Sequence, residues 1–247
     1  MPRSPRKNSE GDIYHVYARG VGRQIIFEDD TDRTCFLSML KKQLDESNGK
    51  LLAWVLMGNH FHLLVNIPLG VLPSFMRDLQ APYATYFNKR HGHDGHIFKG
   101  RFGSQAITSD EQLVACVRYI HRNPVAGGLC ETCDYRWSSY RSYLRKASVT
   151  DAALVLDLFG GIEQFVEFHN AEDNGKFSFI DVEDGDAGDS RANKLACALL
   201  GEDWRNTLPN LSKPNRDSAL RQLKEAGISI RQIERLTGIG RNIISRA

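Results

Sequence analysis

Apolar positions change their period several times between residues 12 and 124, and each change marks an element. Residues 12–21 (DIYHVYARGV) alternate as a strand does. From Asp29 to Ser47 an Asp/Thr-rich start precedes Cys35, Phe36, Met39, Leu40 and Leu44 at helical spacing. Lys50–Met57 and His60–Ile67 are short apolar runs separated by Gly58-Asn59, a turn dipeptide that predicts a hairpin. Leu72 to Arg90 returns to helical period, with Phe75, Leu79, Tyr83, Tyr86 and Phe87 on one side, and Pro82 inside it predicts a kink or a break. A glycine- and histidine-rich loop follows, then a fourth strand at Phe102–Thr108. Ser109-Asp110-Glu111 next opens a helix that Pro124 is expected to end at Asn123.

The order β-α-β-β-α-β-α predicts an α+β fold, a ferredoxin-like antiparallel sheet with helices on one face. That architecture serves many functions, so function has to be read from side chains. Residues 1–148 are expected to form the main domain. Residues 149–190 should hold short helices followed by an acidic linker, and 191–247 a separate all-α domain.

A net charge of +2 conceals an uneven distribution. Residues 1–148 carry 20 basic and 14 acidic side chains, 149–190 carry 1 and 11, and 191–247 carry 11 and 5. Two basic pieces that flank an acidic one suit a polyanionic partner, although moderately basic surfaces also serve solubility alone. No run approaches the ~18 apolar residues of a membrane span, and the start, MPRSPRKNSE, has no apolar stretch behind it. A soluble, cytoplasmic protein without membrane association is expected. Five cysteines at irregular spacing fit reduced thiols.

In GNHFHLLV, His60 and His62 lie two apart on a predicted strand, so both imidazoles share a face while Phe61 points into the core. This is ligand spacing, and it is also compatible with two ordinary strand histidines. Two imidazoles do not complete a divalent ion's shell, so a further protein group is required. In CVRYIHRNPV, Tyr119 and Asn123 are four apart on one helical face. Asn123 offers a hard carbonyl oxygen suited to Mg²⁺ or Mn²⁺, and Tyr119 a phenol able to attack once activated, unless its ring simply fills the core. Arg118 and Arg122 bracket the tyrosine, either as a phosphate clamp or as a solvated helix face. His15, on the first strand, is placed either beside the histidine pair or as a strand residue.

These segments together resemble the single-tyrosine HUH transposases, in particular the REP-associated tyrosine transposases related to small insertion-sequence enzymes. The resemblance spans about residues 10–145 and rests on YHVYARGVGRQIIF, WVLMGNHFHLLV, GHIFKGRF and VRYIHRNPVAGGL. It implies that His60 and His62 are metal ligands and that Tyr119 is the nucleophile. Asn123 stands where insertion-sequence relatives carry a glutamine ligand. The activity implied is metal-dependent nicking and joining of single-stranded or hairpin DNA, repetitive palindromic elements among the targets, through a 5′-phosphotyrosine and a free 3′-OH. Such strand transfer and recombination conserve bond energy, in keeping with a chain that lacks the Walker signature.

Other residues add weaker signals. Lys89, Arg90, Lys99 and Arg101, interleaved with Phe87, Phe98 and Phe102, suggest a basic strip with stacking rings; Lys99 and Arg101 carry the most weight because they lie in GHIFKGRF. His91, His93 and His96 in the loop, and Cys130 with Cys133, fit no standard zinc spacing. In the tail, Ser229 is placed to cap a helix through Leu236, and Gly238 falls where a turn needs a left-handed residue. A second helix starts near Gly240, and Ile233, Ile239 and Ile244 are spaced to pack the two. This reads as a helix-turn-helix whose Arg241, Asn242 and Ser245 would meet duplex DNA, or as a plain helical hairpin. Two rival functions remain at this level: a DNA- or RNA-binding regulator without cleavage, and a replication-initiator or relaxase-type nickase. The oligomeric state, monomer or homodimer, is left open.

Overall fold

The computed structural model describes residues 8–127, 129–130, 133–145, 149–171, 177, 179, 187–201, 204–208, 211–237, 239 and 241–247. Strands β1 (Ile13–Arg19), β2 (Lys50–Leu56), β3 (His60–Asn66) and β4 (Gly103–Ala106) form one sheet in the order β2-β3-β1-β4. Every neighbouring pair is antiparallel. Alternation along β1 and β3 sends Tyr14, Val16, Ala18, Phe61, Leu63 and Val65 to one face, where they join Phe36, Leu40 and Leu44 of α1 (Asp30–Ser47) and Phe75, Leu79, Tyr83 and Phe87 of α2 (Leu72–His91). This is the expected α+β, ferredoxin-like arrangement, with the two intervening helices on one face.

The opposite face is covered as well. Leu52, Val55 and Leu64 are apolar on that side and must also leave water, and α3 (Asp110–Ala126) lays Leu113, Cys116, Val117 and Ile120 over them. Ser109 caps α3 by accepting from the Gln112 amide, and Asp29 caps α1 by accepting from Thr31 and Asp32.

Both internal prolines depart from expectation. Pro82 neither ends nor divides α2, because it lies on the exposed side. There the Asp78 carbonyl that loses its donor faces water, while buried Leu79 and Tyr83 hold the helix on the other side. Pro124 sits inside α3, which runs on to Ala126. The last turn is closed by the Gly127 amide donating to the Asn123 carbonyl at 2.9 Å.

Helices α4 (Tyr140–Leu144), α5 (Ala153–Phe159) and α6 (Ile162–Asn170) pack Tyr140, Tyr143, Val155 and Phe165 against α3 in the same core. The chain divides into units 1–179 and 180–247. The acidic stretch read as a linker lies outside the described residues at 172–176 and 180–186, and α7 (Ala187–Leu200) begins four residues before the anticipated boundary at 191.

The second unit contains α7, α8 (Trp204–Thr207), α9 (Lys213–Glu225), α10 (Ile230–Thr237) and α11 (Arg241–Arg246) around Trp204, Leu220, Leu223, Ile233, Ile239 and Ile244. Ser229 and Gln232 form a reciprocal cap at the start of α10: the Gln232 amide donates to Ser229 Oγ at 3.3 Å and the Ser229 amide to Gln232 Oε1 at 2.9 Å. Gly238 and Pro209 lie outside the described residues, while Pro214 occupies the first turn of α9. Among the described residues, no helix is long and apolar enough to cross a membrane, and none of the five cysteines is in a disulfide.

Candidate active site

The site lies where β1, β3 and α3 meet. Strand alternation puts His60 and His62 on the face that α3 covers, and both are buried. Four-residue spacing brings Tyr119 and Asn123 to the same side of α3. The helix thus presents its phenol and its amide to the histidine pair.

His60 Nε2 lies 2.9 Å from Asn123 Oδ1, and its Nδ1 lies 2.6 Å from Asn59 Oδ1. A neutral imidazole carries one N–H. With that proton on Nδ1 and donated to Asn59, the Nε2 lone pair faces the lone pairs of the Asn123 oxygen. Two such donors repel unless a cation lies between them or an amide is turned. Ligands held at ~2.1 Å in adjacent octahedral positions around a small divalent ion are themselves about 3 Å apart. The observed spacing fits a shared hard cation.

His62 supplies a further donor. Its Nδ1 is 2.8 Å from His15 Nε2, with the rings stacked at 18° and 5.0 Å between centroids. Its Nε2 is buried and has no hydrogen-bond partner among the described residues, and the same holds for His15 Nδ1. Burial, with smaller contributions from His15 and His60, holds the His62 imidazole well below its ordinary value, and burial alone brings His15 down to about 3. Both rings are therefore neutral near pH 7, the form in which histidine ligates. Among the described residues no three His, Cys, Asp or Glu side chains converge as a ligand set, so the donors assembled here are two imidazoles and an amide.

The half-buried Tyr119 ring stands edge-on to His62 (5.5 Å, 89°) and to His15 (5.6 Å, 75°). Phe179 lies along its other side at 5.2 Å and 31°. Tyr17, paired in register with His62 and Gly103, lays its ring over Gly103, where an added Cβ would meet it at 2.2 Å. Glycine at 103 therefore makes room for an aromatic ring beside the histidines.

Arg118 and Arg122 are not brought to this site. Arg118 Nη1 donates to the Phe168 carbonyl at 3.4 Å and its guanidinium lies 4.3 Å from the Phe168 ring centre; Arg122 Nη1 donates to the His169 carbonyl at 2.9 Å. Both donate to the last carbonyls of α6: Arg118 is turned about 100° and Arg122 about 60° around α3 from Tyr119, on the flank that α6 covers. The basic strip also divides. Arg90 is bound by Asp29 and buried Asp32, and His91 by Asp32 and Glu28. Phe87 and Phe102 are core residues, not stacking platforms. Lys99 and Arg101 remain exposed, and the Lys99 amide donates to the Arg19 carbonyl opposite His60, which puts both at the His60 end of the sheet. In the second unit Ser245 is exposed on α11, whereas the side chains of Arg241 and Asn242 lie outside the described residues.

The same helix also carries a buried polar chain. His169 Nδ1 lies 2.7 Å from the Phe165 carbonyl, His169 Nε2 lies 2.9 Å from His121 Nδ1, and His121 Nε2 lies 2.7 Å from Ser139 Oγ, which accepts from the Trp54 amide. One set of neutral tautomers satisfies every member. The chain ties α6 and β2 to the helix that bears Tyr119. No sequence pattern pairs histidines 48 residues apart. Phe179 was likewise hidden within an acidic stretch of linker composition.

The family model described as "Transposase IS200 like" matches residues 9–123. Over these residues the chain is similar to the IS200-like transposases. The match ends at Asn123 and so takes in the histidines, the tyrosine and the amide together. Among solved structures, a REP-associated tyrosine transposase bound to a REP hairpin is 18% identical, with a TM-score of 0.51, covering 73% of this chain and 100% of its own. At that identity the likeness establishes the fold. A structure described as a candidate transposase of Deinococcus radiodurans R1 is 16% identical with a TM-score of 0.35, covering 47% of this chain and 93% of its own, too weak a likeness to argue from. No curated protein sequence matches the chain closely enough to count as a relative.

Proposed function

We propose that this transposase domain nicks and rejoins single-stranded DNA beside a hairpin, with the Tyr119 hydroxyl as nucleophile and a divalent cation held by His60, His62 and Asn123. The reading rests on one observation above all: His60 Nε2 faces the Asn123 oxygen at 2.9 Å, beside the ring of Tyr119 and the buried His62 Nε2, which has no hydrogen-bond partner among the described residues. With the His60 proton on Nδ1, these buried electron-pair donors face one another without a proton between them, which costs stability unless a cation completes the set. Mg²⁺ or Mn²⁺ bound there would neutralise charge on the phosphate oxygens.

The remaining steps belong to this chain's own side chains. The Tyr119 oxygen attacks phosphorus and its proton passes to solvent. The P–O3′ bond breaks, the 3′ oxygen takes up a proton, and a 5′-phosphotyrosine remains. A second 3′-OH reverses the step at a new junction and releases the phenol, so no nucleotide cofactor is consumed. α3 holds Tyr119 so that the phenol does not have to be ordered anew at each turnover. Lys99 and Arg101 are positioned to follow the phosphate backbone at the His60 end of the sheet.

The hairpin as partner is taken from the similar solved structure, which is bound to one, and from the exposed strand that tyrosine attack requires. In the second unit, α10 and α11 serve as a helix-turn-helix for duplex DNA, with Ser245 exposed on α11 and Arg241 and Asn242 as the further contact residues that the sequence offers. Incubation with hairpin oligonucleotides and Mn²⁺, followed by denaturing electrophoresis for protein-linked DNA, tests the reading.

A further inference from the structure

The buried His15 on β1 has no part in the ligand set, yet its Nε2 lies 2.8 Å from Nδ1 of His62. Two neutral imidazoles share two N–H protons among four nitrogens. One proton occupies the Nδ1···Nε2 hydrogen bond. The other can reside only on an outer nitrogen, His62 Nε2 or His15 Nδ1. Those outer nitrogens are the two histidine atoms found buried and without a hydrogen-bond partner among the described residues.

The positions of the two protons are linked. If His15 Nε2–H donates to His62, the second proton sits on His62 Nε2 and blocks it as a ligand. If His62 Nδ1–H donates to His15, the His62 Nε2 lone pair is exposed and the second proton sits on His15 Nδ1. We infer that His15 is a positioning residue: by accepting from His62 Nδ1–H it selects the tautomer that leaves His62 Nε2 bare for a cation, and it stores the displaced proton on its own Nδ1. This rests on the metal-site reading above. It differs from a packing role, because a hydrogen-bond acceptor, and not merely a side chain of similar volume, is required at the His15 Nε2 position. Acceptors behind metal-bound histidines act in this way, and their loss lowers metal affinity by ~10–100-fold.

The test is Mn²⁺ binding by the full chain, followed by electron paramagnetic resonance, for wild type, His15→Gln and His15→Leu, with the melting temperature of each measured without metal. Gln carries an amide oxygen near the position of the lost Nε2, whereas Leu offers none. The inference predicts affinity lowered ~10–100-fold in His15→Leu and restored to within a few-fold of wild type in His15→Gln, irrespective of the order of the melting temperatures. Equal affinities in all three proteins, or equal losses in both variants, overturn it. Wild type that binds no Mn²⁺ overturns the metal-site reading and this inference with it. Should either variant fail to fold, ¹⁵N-histidine spectra of wild type decide: Mg²⁺ or Zn²⁺ must place the proton on Nδ1 of both His62 and His15, and a proton retained on His62 Nε2 contradicts the inference.

Discussion

The Nε2 nitrogen of His60 and the amide oxygen of Asn123 stand 2.9 Å apart, joining the first residue of β3 to the last turn of α3. That oxygen is a neutral donor where a carboxylate would be an anionic one. Asn123→Asp should therefore raise Mn²⁺ affinity, whereas Asn123→Ala should lower it by about 10-fold. Isothermal titration with MnCl₂ checks both directions, and unchanged affinity in both variants would remove Asn123 from the ligand set.

The arginines on α3 and the cations of the loop before β4 should separate cleanly by assay. Arg118→Ala removes a guanidinium from the Phe168 ring and from a helix-terminal carbonyl, and should cost about 1–3 kcal/mol of stability. It should leave the salt dependence of DNA binding as it was. Lys99→Ala with Arg101→Ala should do the reverse, reducing the slope of log affinity against log salt by about 1.4 on single strands at unchanged melting temperature.

Acid should weaken unit 1 through His169. Burial, opposed by the hydrogen bond to the Phe165 carbonyl and reinforced by Arg118 and Arg122, brings this imidazole down to about 4. Burial and His169 also hold His121 well below its ordinary value. An unfolded histidine takes up its proton near ~6.5, so the unfolded state binds more protons in the window between. The stability contributed is complete above ~6.5 and is lost as pH falls towards about 4, by roughly 2–4 kcal/mol. Urea midpoints should fall between pH 7.5 and 5. The fall should be shallower in His169→Asn, and an equal fall in both proteins would exclude His169 as the source.

Gly103→Ala places a methyl group where the Tyr17 ring lies, 2.2 Å from its Cζ. The ring or strand β4 must move, at a cost of about 1–3 kcal/mol. Because Tyr17 is also 6.0 Å from the His62 ring, nicking should fall along with stability. Gly103→Ala with Tyr17→Ala should recover the stability lost to overlap, which a thermal melt of the double variant measures.

Much of the fold was legible because burial writes itself into period. Val16, Phe61 and Leu63 alternate with His15, His60 and His62, which located the sheet, its faces and the histidine pair at once. The spacing of Tyr119 and Asn123 likewise named the helix side that meets them. The α6 partners of Arg118 and Arg122 were not legible, because helical period gives an angle around the axis and not the element that covers it; α6 arrives from some fifty residues further on. Pro82 and Pro124 were read as breaks because the local cost of proline is visible in sequence, while the buried neighbours that offset it are not. The contact of Phe179 with Tyr119 had no local signature, since two phenylalanines in a short acidic stretch do not say which element they meet.

In the proposed reaction the Tyr119 oxygen becomes bonded to DNA. A 5′-side fluorescent and a 3′-side fluorescent hairpin oligonucleotide, each incubated with the full chain and Mn²⁺ and separated under denaturing conditions, test it directly. Only the label on the 3′ side of the nick should migrate with protein, and chelation of the metal should abolish the adduct. Tyr119→Phe should give no adduct and should still bind the hairpin. An adduct of undiminished yield in Tyr119→Phe, or cleavage by wild type with no protein-linked product at any time, would contradict it.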